Sequence, residues 1–118
     1  MFYRTDPPTS GSHYPVATSP GFYESPQLPG NLVHALEHGS IVIYYDDPGR
    51  EAMQRLREWA SHYADPWAGL VVTPKPGLGR VVILTAWTKK LQLAEFDSKA
   101  AAAFIDRFRG RGPERPVR

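Results

Sequence analysis

The chain predicts an α/β domain, with α+β as the alternative class, and three observations carry that expectation. Short β-branched runs alternate with two stretches whose apolar residues recur at helical spacing. At 118 residues the chain is long enough for one hydrophobic core and short for two. Its 42% hydrophobic and 22% charged residues lie well inside the range of folded globular proteins. The expected architecture is one compact domain with a three- to four-stranded mixed sheet. Against it should lie two main helices, a short histidine-bearing helix and an extended N-terminal arm. The arm is read as residues 1–30, the α/β body as 31–109, and a basic tail open to flexibility as 110–118.

Each element has a local reason. Residues 1–30 hold six prolines and three glycines, yet also Phe2, Tyr3, Tyr14, Phe22 and Tyr23. A solvated linker would have few aromatic rings, so the segment is expected to lie over the body with its rings packed into the surface. Asn31 is the expected N-cap and Gly39 the left-handed C-cap of a helix of barely two turns, which needs tertiary support. Ser40-Ile41-Val42-Ile43-Tyr44-Tyr45 reads as a strand buried on both faces, and Asp46–Gly49 as a turn. Residues 50–63 put Met53, Leu56, Trp59, Ala60 and Tyr63 on one helical stripe.

Asp65-Pro66 ends that helix. Leu70–Thr73 is the next strand, Pro74–Gly79 a rigid loop, Arg80–Ala86 a third strand and Trp87–Leu93 a fourth. A final helix from Asp97 or Ser98 buries Ala101, Phe104, Ile105 and Phe108 and stops before Gly110. The apolar content ends there, so residues 110–118 are expected to add little to folding.

Composition narrows the function classes. Cysteine is absent, which excludes disulfides, zinc–thiolate sites and iron–sulfur clusters. No run of eighteen apolar residues exists, so no membrane span is expected. The opening residues have neither the basic region nor the apolar run of a signal peptide. Net charge is +2, but residues 107–118 alone carry five arginines against Glu114, a net of +4, and the rest of the chain nets −2. Such a tail can touch nucleic acid, yet no specific recognition motif accompanies it, and a solvated terminus is the simpler reading.

The chemistry concentrates in His34-Ala35-Leu36-Glu37-His38. Two imidazoles four residues apart share one helical face, with a carboxylate beside them. His13, in the Pro/Gly-rich arm, can supply a third imidazole if the arm folds back. Three neutral imidazoles suit Zn(II), Cu(II), Ni(II) or Fe(II), with zinc or copper the leading candidates. The expectation is therefore a metal-binding protein with His13, His34 and His38 as ligands. H-x-x-E-H is also the inverted zinc-protease signature, in which Glu37 would act as general base, so a small zinc-dependent hydrolase is the second reading. A metal-free structural or protein-interaction domain is the third: His38 could bond the last helix carbonyls, Glu37 an arginine, and His13 a turn carbonyl. His62 falls on the polar side of its helix and is left out. Self-association is not decided by the sequence, although an extended arm is an element that can swap between copies.

Several words of the chain are long enough to carry a resemblance. They are Pro7–Tyr14, Leu32–Gly39 running into Ile41–Tyr44, Thr85-Ala86-Trp87, and Phe104-Ile105 leading to Arg109–Glu114. On these words the chain resembles a bacterial family of unknown function, the domain of unknown function numbered 3105, from about Asp6 to Glu114. The resemblance implies no activity. It implies that the His13 and His34/His38 words belong to one domain, and that relatives are membrane-anchored or exported. The sequence given shows neither signal nor anchor, so its compartment stays open.

Overall fold

The computed structural model describes residues 6–10 and 16–113. Eight elements follow one another: β1 (Gly21–Phe22), α1 (Pro29–His38), β2 (Ile41–Tyr45), α2 (Arg50–His62), β3 (Leu70–Pro74), β4 (Val82–Ala86), β5 (Lys89–Leu93) and α3 (Ser98–Phe108). The strands form one mixed sheet in the order β1-β3-β2-β4-β5. β1, β3 and β2 run parallel, and β4 and β5 are antiparallel to their neighbours. This is the mixed sheet expected, with one strand more, because two residues of the arm pair with β3 (Gly21 beside Val71, Phe22 beside Val72).

Side-chain alternation splits the core in two. On one face Ile41, Ile43, Tyr45, Leu70, Val72, Val82 and Leu84 meet Leu56 and Ala60 of α2 and Ala101, Phe104 and Ile105 of α3. On the other, Val42, Tyr44, Val71 and Ile83 meet Leu32, Ala35 and Leu36 of α1. All five residues of β2 are buried, as an uninterrupted apolar run at the centre of a covered sheet requires.

The two larger helices follow their periodicity. α3 is capped by the Asp97 carboxylate, which accepts from the backbone N–H of Lys99 and Ala100 at 3.0 and 3.2 Å. α2 begins after Gly49 without a side-chain cap. The preceding turn is used differently: the Asp46 carboxylate accepts from the N–H of Gly77 and Gly79 at 3.3 and 3.0 Å and so holds the β3–β4 loop.

The short helix departs from its expected start. Pro29 opens it, in the position where a missing N–H is harmless, and its N-cap is Leu28. Asn31 therefore lies inside the first turn. Its side-chain amide donates to the Val16 carbonyl at 2.6 Å, and its own carbonyl accepts from Thr18 N–H at 3.1 Å. A residue expected to cap the helix instead ties the arm to it. The C-terminus is as expected: Gly39, at φ 110°, donates to the carbonyls of Ala35 and Leu36.

The fourth strand is shorter than its sequence run. Trp87 and Thr88 form the β4–β5 turn, with Thr88 at φ 63°, and Thr88 N–H donates to the Thr9 carbonyl at 2.9 Å. The sheet edges are blunt. β5 turns Lys89, Lys90 and Gln92 to solvent, and β1 is only two residues long.

Beyond α3 the backbone of residues 110–112 lies against α1. Gly110 N–H donates to the Gly39 carbonyl at 2.8 Å. A Cβ on Gly112 would overlap the Glu37 carbonyl oxygen, so only glycine fits there. No helix among the described residues is long and apolar enough to cross a membrane.

Candidate functional site

His34 and His38 occupy the last two turns of α1 and face the same way. Their ring centroids are 4.6 Å apart and their planes nearly perpendicular, at 85°. The 3.6-residue repeat produces this pairing, since positions four apart are neighbours on one helical face. Leu32, Ala35 and Leu36, buried against the sheet, fix which face is left for the histidines.

A groove of about 460 Å³ runs along this face, walled by residues 16–20 of the arm, His34, His38, Pro66 and Trp67. Three separate stretches of chain meet here. The arm is held to α1 through the Asn31 bonds and to the 65–69 loop by close packing. A Cβ on Gly69 would come within 2.5 Å of the Pro20 ring and 2.6 Å of the Asp65 carbonyl. The loop is held in turn by α3: Arg109 donates from its guanidinium to the Ala68 carbonyl at 2.8 Å and stacks 4.6 Å over the Tyr63 ring.

Trp67 completes the wall. Its indole stacks on the His38 imidazole with centroids 4.1 Å apart and planes within 19°. Its backbone N–H donates to the Asp65 carboxylate at 2.8 Å, which sets the turn after Pro66. Its carbonyl sits where a Cβ on Gly39 would come within 2.6 Å, so the helix cap and the loop are packed backbone to backbone. Sequence reasoning treated Asp65-Pro66 only as a helix stop and passed over Trp67. A tryptophan directly after Pro66, away from either periodic stripe, is the signal the sequence offers.

The expected site residues are placed unequally. His34 and His38 come together as the helix argument requires. His13 lies outside the described residues. Glu37 is half-buried on α1 but does not line the groove. Among the described residues no three His, Cys, Asp or Glu side chains form a group that could hold a metal ion. His62 is exposed at the end of α2, in edge contact with Tyr63.

The sheet face under α1 also holds Tyr44, whose buried hydroxyl has no hydrogen-bond partner among the described residues. Thr85 is nearby, but its hydroxyl donates to the Val42 carbonyl at 3.0 Å. Burial pushes the Tyr44 phenol far above its usual range, the Asp6 carboxylate pushes it further, and Thr85 opposes the shift. Tyr44 is a packing residue with an unsatisfied group and stands apart from the histidine groove.

Comparison with known proteins gives a family and nothing more specific. No curated protein and no solved structure matches the chain. Residues 1–118, its whole length, match the family described as Protein of unknown function (DUF3105), and the chain belongs to that family.

Proposed function

We propose that this is a metal-binding protein whose site is built on His34 and His38, with His13 as the third ligand and zinc or copper as the ion. The observation that carries the reading is the spacing of the two rings. With metal–nitrogen bonds of about 2.0–2.1 Å, an ion sits roughly 3.2 Å from each ring centroid, and two ligands at about 90–110° have centroids roughly 4.5–5.2 Å apart. The separation in α1 is 4.6 Å. Little movement of the helix face would be needed for both rings to reach one ion.

Two further features support it. The pair lies at the C-terminal end of a helix, where the helix dipole favours positive charge. His13 is three residues from Val16, which lines the same groove, and three residues of chain span at most about 11 Å. Covalent reach therefore permits His13 to enter the same groove. The hydrolase reading gains no comparable support, because Glu37 is outside the groove wall.

The test is metal titration of protein purified without a polyhistidine tag. One equivalent of Zn(II) or Cu(II) should bind, and His34→Ala or His38→Ala should abolish tight binding. His13→Ala should weaken it severely. A His13→Ala chain with unaltered affinity would remove the arm from the site, and a wild-type chain that takes up no metal would overturn the reading altogether.

A further inference from the structure

We infer that Trp67 is a positioning residue for this site: its indole, on a loop whose backbone is held by Asp65, Gly39 and Arg109, fixes the imidazole plane of His38 for ligation. The inference rests on the metal-binding reading above. Its basis is geometric. An imidazole on a helix surface rotates about two side-chain bonds, and ligation needs one ring orientation out of several. Ligating histidines are commonly held by a hydrogen bond from outside the coordination shell, and loss of such a support weakens metal binding about 10–100-fold.

Here a stacked ring can do that work. The indole covers one face of His38 at 4.1 Å and 19°, while His34 meets the imidazole edge-on at 85°. Between them the two contacts restrict rotation of the imidazole. The indole can hold a ring in place only if it is itself fixed. Its loop is bonded at Trp67 N–H to Asp65 and at the Ala68 carbonyl to Arg109, and its backbone is wedged against Gly39. That is more restraint than a five-residue loop needs to turn the chain.

The experiment compares wild type, Trp67→Phe and Trp67→Leu as full-length untagged chains titrated with Cu(II) and Zn(II). Phenylalanine keeps an aromatic face and should bind within about 3-fold of wild type, whereas leucine keeps apolar bulk without a face and should weaken binding about 10-fold or more. In metal-free protein the His38 ring protons should be shifted upfield by the indole, and in Trp67→Leu they should move downfield. Equal affinity in wild type and Trp67→Leu overturns this inference alone and leaves the metal site standing. No binding by wild type overturns the metal reading first and this inference with it. Should Trp67→Leu fail to fold, wild type still decides. Contacts between the Trp67 and His38 ring protons must persist on Zn(II) binding, and their disappearance would show that the stack is not the ligating arrangement.

Discussion

The two faces of the sheet are built on different plans. The face under α2 and α3 is closed by two helices of 13 and 11 residues whose apolar stripes are regular. The face under α1 has a smaller buried cluster, a helix of 10 residues, and non-periodic chain from the arm and the β3–β4 loop packed round it. The first face is a core and little else. The second combines a thinner core with the histidine groove, and its shape depends on contacts between segments far apart in sequence. The groove beside α1 is walled by irregular chain from the arm and the 65–69 loop, whereas the core under α2 and α3 is covered by periodic helices.

The sharpest test of that contrast is to empty each core. Leu56 and Leu36 are both fully buried, one under each face. Leu56→Ala should destabilise by about 3–5 kcal/mol, because helices on a regular seam cannot collapse into the void. Leu36→Ala should cost about 2–3 kcal/mol, since arm and loop can relax inward. Urea unfolding measures both. An equal or reversed order would mean that the arm packs as rigidly as a helix.

Next in size is Gly39→Ala. The left-handed backbone there and the close approach of the Trp67 carbonyl should together cost about 1–3 kcal/mol and disturb metal uptake. The equivalent change at Gly77, also left-handed but with open space around it, should cost only the backbone part, about 1 kcal/mol. Thermal melts of the two variants separate strain from packing.

Arg109→Ala removes the hydrogen bond to Ala68 and the stack on Tyr63. It should cost about 1–2 kcal/mol, and it is the one α3 change expected to reach the α1 face through the loop. If Trp67 fluorescence in this variant is the same as in wild type, the two faces are less connected than the geometry implies.

Tyr44 gives the smallest effect and the cleanest sign. Its phenol is raised in the folded state, so the native chain keeps a proton that the unfolded chain loses above pH about 10. Stability should therefore be complete below that pH and fall as pH rises beyond it, by at most about 1.4 kcal/mol per unit for this group. Tyr44→Phe should blunt the loss. At neutral pH it should be within about 1 kcal/mol of wild type, because the hydroxyl it deletes has no partner among the described residues.

What could be read from the sequence divides along the same line. α2, α3, β2 and β3 follow from period and helix-end residues, Gly39 caps as expected, and α3 starts at Ser98 as read, with Asp97 as its cap. β1 was not legible, because Gly21-Phe22 carries no strand pattern and pairs only since β3 offers an edge. Asn31 was misassigned for a related reason: a capping residue type was available, but Pro29 had already opened the helix two positions earlier. At the site, the i, i+4 rule delivers the His34–His38 pair. It cannot deliver Trp67, 29 residues further on in the numbering, whose place depends on the packing of Gly39, Gly69 and Arg109.

The two-residue strand β1 has a consequence for self-association. It sits on β3, whose Leu70, Val71 and Val72 are fully buried, and Phe22 is further covered by the Arg57 guanidinium 4.2 Å above its ring. Any processing that removed the chain through Phe22 would leave the outer side of β3 with unpaired N–H and C=O groups along a flat hydrophobic ribbon, the kind of edge on which strands from other molecules add. The opposite edge is protected by lysines and would not open in the same way. Trimming of the arm through Phe22 should thus open one sheet edge through which two copies of the chain can pair, a change that size-exclusion chromatography of the trimmed chain would read.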